Sequence, residues 1–369
     1  MRLLLTPGQA GSPRSRAFPI GIFFGIEPEI TGAETVREGS ADVFPVRRMR
    51  RYRRRIVQEL FTETCVHVSD LVVPLFVDEG IHSPRPIDSM PGQVRNPVGD
   101  LPGVAARISG LGLQSVLLFG IPRAKDAEGT AAYAADGVIQ QSVRAMKKEV
   151  PDLVVCTDVC ACEYTDHGHC GIIGEKAGEQ ELLNDPSLEL MNRIAVSHAE
   201  AGADVVAPSC MLDGMVGSIR RALDENGFED VLIMSYSSKF ASGFYGPFRE
   251  AADSGARFGD RTTYQLNPSN AREAILESTL DADEGADILM VKPAGYYLDI
   301  LASLRDIGLP LAAFQVSGEY AMIRAAAERG WIDGRSAVME SLTCIKRAGA
   351  DLVITYFAEE AAGWAREEP

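Results

Sequence analysis

The segment AREAILESTLDADEGADILMVK (271–292) contains the unit from which the fold can be predicted. Its first part has the residue period of a helix, and Gly285 follows where a left-handed residue commonly ends a helix. The run DILMVK (287–292) is then almost continuously apolar, which is typical of a parallel strand buried on both faces. The segment therefore encodes a helix that leads directly into a buried strand.

Strand runs of this kind occur eight times from residue 71 onward, and helix-period segments such as LELMNRIAVSHAEAG (188–202) lie between them. Eight β-then-α units favour an α/β fold of the (β/α)8 TIM-barrel type, whose core has about 250 residues. A doubly wound open sheet is the alternative that pattern and length leave open. The runs are LVVPLFV (71–77), SVLLFGI (115–121), LVVCTDV (153–159), ADVVAPS (203–209), VLIMSYS (231–237), DILMVK (287–292), LAAFQV (311–316) and DLVITYF (351–357).

Composition and charge exclude several classes of function. The chain has 369 residues, is 46% apolar and carries a net charge of −16. So acidic a protein repels phosphate backbones and anionic lipids, which argues against nucleic-acid and membrane binding. Its apolar stretches are also well short of the ~18 residues that span a bilayer. No dinucleotide or P-loop glycine signature is present, which weakens a nucleotide-binding interpretation.

Cysteine usage bears on the cellular compartment. Seven cysteines, three of them within eleven residues, indicate metal or thiol chemistry in a reducing compartment rather than a disulfide framework. We therefore predict a cytoplasmic protein, and the LLL near Met1 is too short for a secretory signal. No acidic residue precedes Glu27, which mildly resembles a transit peptide and makes a plastid the alternative. An over-long start is an equal explanation.

The first part of the chain differs from the rest. Residues 1–43 are rich in Gly, Pro and Ser, and we predict an N-terminal extension that is flexible or serves as an inter-subunit arm. A catalytic barrel domain is expected over 44–369. The basic stretch FPVRRMRRYRRRIVQEL (44–60) is expected to begin a helix. Its charges form either a solvated face or, in this acidic protein, a contact with another subunit.

Two lysines stand out because the chain has only seven lysines against twenty-nine arginines. Lys292 closes the sixth strand run, and Lys239 lies two residues beyond the fifth. Strand ends meet at the carboxyl-terminal mouth of a barrel, so both amines are expected in one cavity. Burial lowers the pKa of an ammonium, and a neutral amine attacks carbonyls. The pair predicts carbonyl chemistry through Schiff bases.

A cysteine-rich loop follows the third strand run. TDVCACEYTDHGHCGI (157–172) contains Cys160, Cys162 and Cys170 in a C-x-C-x7-C pattern. Three thiolates suit Zn²⁺ and leave a fourth position open, as catalytic zinc sites do. A structural site with His167 or His169 as fourth ligand is the alternative. The other four cysteines are interpreted as small core hydrophobes.

Further polar residues are expected at the same mouth. Asp158 ends the third run and either holds a substrate amine and moves protons or caps the loop. A glycine-punctuated stretch after Lys239 is interpreted as a lid. Its arginines either bind a substrate carboxylate or form exposed salt bridges. The lid contributes Arg249, Arg261 and Gln265, and other strand ends contribute Ser209, Ser317 and Tyr356.

Taken together, these segments resemble the porphobilinogen synthase (5-aminolevulinate dehydratase) family over about residues 44–360. The resemblance implies a (β/α)8 barrel, usually a homo-octamer in which an N-terminal arm embraces a neighbour. It also implies the condensation of two 5-aminolevulinate molecules to porphobilinogen with loss of two waters, an early step of tetrapyrrole synthesis. The segments that carry it are FPVRRMRR, DVCACEYTDHGHCG, AGADVVAPS, SYSSKFASGFYGPFR, YQLNPSN, GADILMVKPAGYYLDI, QVSGEYAMI and IKRAGADLVITYF.

The resemblance also implies roles for individual residues. Lys292 is expected to form a Schiff base with the substrate that becomes the propionate side, and Lys239 with the acetate-side substrate. The three loop cysteines are expected to hold catalytic zinc, with Asp158 beside it. Arg249, Arg261 and Gln265 are expected at the acetate-side carboxylate, Ser317 and Tyr356 at the propionate-side carboxylate, Phe244 and Tyr245 in the pocket wall, and Glu277 at an allosteric Mg²⁺.

Two positions depart from the family pattern, since many relatives carry Asp at Cys210 and a basic or polar residue at Met215. Two rival functions are weighed against this assignment. A class I aldolase-type lyase needs one Schiff-base lysine and no cysteine triad. A non-catalytic zinc-stabilised binding protein needs four closed metal ligands and gives no reason for paired strand-end lysines.

Overall fold

Eight parallel strands form a closed barrel in this computed structural model. Each strand pairs with the next along the chain, and β8 returns to β1 through the Leu71–Val353 and Val72–Ile354 pairs. The predicted (β/α)8 barrel is therefore confirmed, and the open-sheet alternative is wrong. The strands are β1 Leu71–Asp78, β2 Ser115–Ile121, β3 Val154–Val159, β4 Val205–Pro208, β5 Leu232–Lys239, β6 Ile288–Lys292, β7 Leu311–Gln315 and β8 Leu352–Thr355.

The structure describes residues 48–367 except 177, 178, 256 and 260. The chain forms two compact units with their boundary between Phe61 and Thr62. In the first unit, the basic stretch forms two short helices, Arg48–Tyr52 and Arg55–Gln58, and a 3-10 turn over Glu59–Phe61. The predicted extension over residues 1–43 lies outside the described residues.

Helices alternate with the barrel strands and cover them from outside, because each buries an apolar stripe against the sheet. The predicted stop at Gly285 is present with φ of 103°, and Gly202 and Gly349 end helices in the same way with φ of 99° and 128°. None of the helices in the described residues has the length and apolar character needed to cross a membrane. The helices of the second unit are Leu101–Gly110, Val138–Glu149, Asn184–Glu200, Met215–Glu225, Gly246–Ala251, Ala271–Asp283, Leu298–Leu304, Ser317–Glu328, Gly334–Ala348 and Ala358–Glu367.

Short elements add to the barrel rim. The strand Val94–Pro97 pairs with the end of β1 and with the two-residue strand Arg85–Pro86. A small antiparallel hairpin, Ile173–Lys176 with Glu179–Leu182, extends the loop that carries the cysteines. Additional 3-10 turns occupy Val68–Asp70, Val98–Asp100, Thr130–Tyr133, Gly243–Tyr245 and Arg305–Ile307.

A β-bulge in β5 determines which of its side chains face the barrel interior. Residues 234 and 235 pair with 288 and 289, whereas 238 and 239 pair with 291 and 292, so β5 contains one extra residue. Ser235 and Ser238 point outward, since they donate to Asp281 and to the carbonyl oxygen of Ala274 on the covering helix. Tyr236 and Lys239 both face inward although they are three residues apart. Without a bulge, strand alternation would place them on opposite faces.

Candidate active site

The two strand-end lysines are direct neighbours in the barrel. Lys239 and Lys292 are register partners in the β5–β6 pair, and each side chain is nearly fully buried. The predicted adjacency of the two amines is thus present in the structure. One detail differs, because β5 extends to Lys239 itself rather than ending two residues before it.

Aromatic rings enclose the amine of Lys292. Its Nζ lies 4.1 Å from the ring centre of Phe314, 4.9 Å from that of Tyr236 and 5.0 Å from that of Phe248. Burial, and after it the positive charge of Lys239, lowers the pKa of Lys292 to about 7. A large share of this amine is therefore neutral near neutral pH and able to act as a nucleophile.

Lys239 has a polar and anionic environment instead. Its Nζ donates a hydrogen bond to the carbonyl oxygen of Ser209. Burial lowers its pKa, but negative charge at Cys170, Cys160 and Asp158 outweighs burial and raises the pKa of Lys239 overall. The two amines of one cavity thus differ in their protonation.

Asp158 is buried at the end of β3 and faces both lysines. Its Oδ2 accepts a hydrogen bond from the hydroxyl of Ser209 at 3.1 Å, and its Oδ1 has no partner in the described part of the chain. Burial raises the pKa of the Asp158 carboxyl, against the opposing charges of Lys239 and Lys292. Since none of the described backbone amides donates to this carboxylate, its position fits the substrate-facing role rather than a loop cap.

The three loop cysteines form a compact cluster of buried thiols. Their sulfur atoms lie within 4.8 Å of one another, and those of Cys160 and Cys162 are 3.3 Å apart. Hydrogen bonds from Cys160 and Cys162 lower the pKa of the Cys170 thiol, which favours the thiolate that metals bind. Three converging sulfur atoms are the donor set that Zn²⁺ accepts.

Neither loop histidine is placed to complete this cluster. His169 contacts the hydroxyl of Tyr264 at 3.2 Å through Nδ1 and the carbonyl oxygen of Phe258 at 3.0 Å through Nε2. His167 accepts from the backbone amide of His169 at 3.1 Å and contacts the carbonyl oxygen of Ala127 at 3.3 Å. With these ring nitrogens engaged elsewhere, the structural alternative with His167 or His169 as fourth ligand is not supported.

Glu163 is a site residue that the sequence interpretation missed. It is buried, lines the cavity, and has a carboxylate oxygen within 4.8 Å of both Cys160 Sγ and an Asp158 oxygen. Burial and the neighbouring Asp158 raise the pKa of Glu163 to about 7. Its place beside Cys162 in the cysteine motif was the signal that could have revealed it.

The segment after Lys239 lies over the cavity and is fastened beside that lysine at both ends. The Leu266 amide donates to the Lys239 carbonyl oxygen at 3.0 Å, and the Ala241 amide donates to that of Leu266 at 2.8 Å. Arg261 is buried and donates to the carbonyl oxygens of Gly168 and Ser254. Gln265 is buried with an unpaired Nε2, again within the described residues.

Of the two lid arginines expected at a substrate carboxylate, Arg249 is exposed yet lines the cavity together with Arg261 and Gln265. Neither arginine forms an ion pair with a described carboxylate, so the salt-bridge interpretation is not supported. Of the two lid aromatics expected in the pocket wall, Tyr245 lines the cavity and Phe244 is not among its lining residues. The ring of Tyr245 lies 5.6 Å from Lys292 Nζ, and that of Phe244 stacks on Tyr296 at 4.6 Å.

Ser317 and Tyr356 are buried behind the aromatic wall rather than on the cavity lining. The hydroxyl of Ser317 accepts from the Phe248 amide at 2.9 Å, which ties it to the lid helix. The ring of Tyr356 stacks on Phe76 at 6.0 Å, and its hydroxyl has no partner among the described residues. The unpaired phenol leaves a hydrogen-bond donor available for a ligand.

The cavity that these residues enclose is small. Its volume of ≈ 20 Å³ accommodates about one water molecule and not a substrate. Entry of a substrate therefore requires the lid segment to move.

Three further positions named in the sequence analysis also lie apart from the cavity lining. Glu277 is half-buried in a neighbouring cleft of ≈ 450 Å³ with Glu273 and Asp213. Cys210 is buried close to the thiol cluster, with its sulfur 3.4 Å from Met191 Sδ. Met215 is buried at the start of the helix Met215–Glu225. Of the four remaining cysteines, Cys65 is exposed, so the prediction of a core residue is wrong there.

The family model for delta-aminolevulinic acid dehydratase matches residues 46–364. The chain belongs to this family. Family membership confirms the resemblance derived from the motifs. The aldolase-type and non-catalytic alternatives therefore fall away.

Curated members of the family are similar over nearly their whole length. The chain is 50% identical over 324 residues to delta-aminolevulinic acid dehydratase of Halalkalibacterium halodurans, covering 87% of this chain and 98% of that protein. It is 53% identical to the protein of that name from Archaeoglobus fulgidus, covering 86% and 98%. These relatives are bacterial and archaeal, and they give no support to a plastid location.

A solved member of the dehydratase family has the same fold. The Toxoplasma gondii enzyme, described as porphobilinogen synthase in complex with its reaction product porphobilinogen, superposes with a TM-score of 0.84. It is 42% identical, and the alignment covers 89% of this chain and 93% of that chain. Fold and family thus agree over the barrel.

Proposed function

We propose that this chain condenses two molecules of 5-aminolevulinate to porphobilinogen, with Lys292 and Lys239 as Schiff-base nucleophiles. The observation that carries the proposal is the register pairing of these lysines in one closed cavity. A reaction that joins two copies of one ketone needs two activated carbonyl carbons side by side. Imine formation activates both, because it makes the adjacent carbon acidic and the imine carbon electrophilic.

The different environments of the two amines support a division of labour. Lys292, with its lowered pKa, is ready to attack a ketone and is assigned to the propionate-side substrate. Lys239 stays protonated because the thiols and Asp158 lie nearby, so its amine can react only after losing that proton. It is assigned to the acetate-side substrate. Asp158 faces both lysines and is placed to accept the proton of Lys239.

The thiol cluster supports a metal site. Cys160, Cys162 and Cys170 would hold the ion, and their sulfur donors favour Zn²⁺ over Mg²⁺, which prefers oxygen. When bound, the ion supplies Lewis-acid polarisation of the acetate-side substrate. The residues around the ion exclude water from the site. They also hold Asp158 and Lys239 within reach of the acetate-side substrate.

Two sets of donors fit the two substrate carboxylates. Arg249, Arg261 and Gln265 are assigned to the acetate-side carboxylate, because they line the cavity with charged or unpaired donors. Ser317 and Tyr356 are assigned to the propionate-side carboxylate, with the unpaired Tyr356 phenol as the supporting observation. Phe244 and Tyr245 close the pocket, and Ser209 orients Asp158.

Glu277 is assigned to a regulatory Mg²⁺ outside the active site. Burial and the charges of Asp281 and Asp213 raise the pKa of Glu277 to about 7. Such an anionic cleft favours a hard cation with oxygen ligands.

Assembly as a homo-octamer is part of the proposal. Exposed apolar side chains on the second unit, including Leu276, Tyr296 and Trp331, support burial in an interface. Light scattering coupled to size exclusion is expected to give eight times the mass of the chain, and a monomer would contradict this.

Borohydride trapping tests the active site. Protein incubated with 5-aminolevulinate and borohydride is digested, and the reduced lysines are mapped. Adducts are expected at Lys292 and Lys239, and the variants K292M and K239M are each expected to lose one adduct and product formation. The matched control is K147M, a lysine paired with Asp204 away from the cavity. Absence of adducts at both active-site lysines would refute the proposal.

A further inference from the structure

Tyr236 has a buried hydroxyl that makes no well-formed hydrogen bond to a described residue. Its side chain is 1% exposed, and the phenol oxygen has no partner among the described residues. Leaving a buried hydroxyl unpaired costs folding free energy, so a purely structural role favours phenylalanine at this position. The hydroxyl therefore lowers the stability of the fold, and packing of the side chain gives no reason for its presence.

The surroundings of this phenol are those of a reaction centre. The Tyr236 ring centre lies 4.9 Å from Lys292 Nζ and 5.4 Å from Lys239 Nζ. Its hydroxyl end is near the carboxylate of Asp158, which is the largest influence after burial on the pKa of the phenol and raises it. Asp158 lines the cavity and has an unpaired oxygen of its own. The phenol and the Asp158 carboxylate thus lie near each other, without a well-formed hydrogen bond, in the region of both amines.

The bulge in β5 provides an independent observation. It places Tyr236 and Lys239 on the same inner face although three residues separate them. A regular strand would turn the phenol toward the covering helix, where Ser235 and Ser238 make their hydrogen bonds. Bulges commonly re-aim a side chain next to active sites. The irregularity brings a proton donor to the two lysines.

We propose that Tyr236 is a further catalytic residue, which transfers the protons needed to convert the carbinolamine at Lys292 into the imine. The inference rests on the proposed Schiff-base chemistry. The Lys292 amine adds to the ketone carbon, and a proton moves from nitrogen to oxygen to give a hydroxyl. Tyr236 donates its phenol proton to that hydroxyl, the C–O bond breaks, and water leaves. The nitrogen lone pair forms the C=N bond, and the phenolate then takes the proton from the iminium nitrogen. Amine and ketone thus become imine and water, and the phenol is regenerated.

Imine formation can be measured apart from condensation with 4-oxopentanoate, a keto acid that lacks the amino group. Rapid-quench borohydride trapping of the wild-type protein with this probe gives the rate at which the Lys292 adduct forms. The substitution Y236F removes only the hydroxyl. We expect it to slow that rate at saturating probe by at least about 100-fold, the usual size of a proton-transfer contribution. We expect its melting temperature to equal or exceed that of the wild type, because an unpaired buried hydroxyl is removed.

The matched control is Y133F, which removes the hydroxyl of a half-buried tyrosine that packs against Arg193 and does not line the cavity. It is expected to leave both the saturated rate and the probe concentration needed for half-maximal trapping nearly unchanged. Equal saturated rates for Y236F and wild type would overturn the inference, as would a Y236F protein whose slower trapping accompanies a lower melting temperature. A wild-type protein that traps no lysine would instead refute the Schiff-base proposal itself.

Discussion

Two lysines one strand apart have opposite pKa shifts. Rings surround Lys292, so its ammonium form loses hydration without gaining a hydrogen-bond acceptor among the described residues. Lys239 is equally buried, but it has a carbonyl oxygen to donate to and acidic groups nearby. Because the positive charge of Lys239 also lowers the pKa of Lys292, each residue contributes to the reactivity of the other.

This coupling predicts the effect of K239M on the pH dependence of Lys292. Trapping of the wild-type Lys292 adduct by borohydride is expected to rise with pH through a midpoint of about 7, where the amine becomes neutral. Removing the positive charge of Lys239 raises the pKa of Lys292, so the midpoint of the variant moves to higher pH. The comparison is made with 4-oxopentanoate across pH 5–9. An unchanged midpoint in K239M, with K147M as control, would show that the charge of Lys239 does not act on Lys292.

At the scale of elements, the loop between β3 and the hairpin Ile173–Lys176 brings three thiols together without a fourth protein ligand from its histidines. Both imidazoles instead hold backbone and side-chain partners around the loop. These contacts hold the loop in the conformation that brings the thiols together, and a held loop favours affinity because less ordering is required on binding.

The cysteine loop predicts a selective loss of metal. The variant C170S is expected to weaken zinc binding by more than about 100-fold, because loss of a direct ligand exceeds the 10–100-fold effect of an outer-shell change. The variant C156S, which alters another buried cysteine, is expected to bind like the wild type. Competition with a chromophoric chelator measures both affinities. Equal affinity of C170S and wild type would remove Cys170 from the ligand set.

The order of most helices and strands could be predicted from the sequence, because buried parallel strands have continuous apolar runs such as DILMVK. The adjacency of Lys239 and Lys292 followed from chain order alone. The role of Tyr236 did not, because a bulge depends on pairing with the next strand and leaves no local signal in SYSSK. Cys65 also escaped prediction, since its exposure depends on tertiary packing rather than on residue type.

At the scale of the whole molecule, Glu277 links stability to pH. Its pKa of about 7 lies above the ordinary 4.5, so folding favours the protonated form. The free energy of unfolding is therefore expected to decrease as pH rises from about 4.5 through 7. A cation that binds the ionised carboxylate offsets this loss above pH 7.

The variant E277Q tests this account. At pH 8 without Mg²⁺, it is expected to be more stable toward urea than the wild type, because it buries no charge. Added Mg²⁺ is expected to stabilise the wild type and to have less effect on the variant. E340Q, a change on an exposed helix position, is the control. An equal response of E277Q and wild type to Mg²⁺ would exclude Glu277 as a ligand.

The small cavity has a consequence for the time course of ligand association. A cavity of ≈ 20 Å³ is too small for a substrate. A ligand can therefore bind only to a protein molecule whose lid segment is open, or opens while the ligand is in contact with it. The association rate constant is then lower than it would be without this conformational change. At high ligand concentration, the observed rate is expected to level off at the opening rate of the lid. Inhibitors of this site are thus expected to bind slowly and to be released slowly.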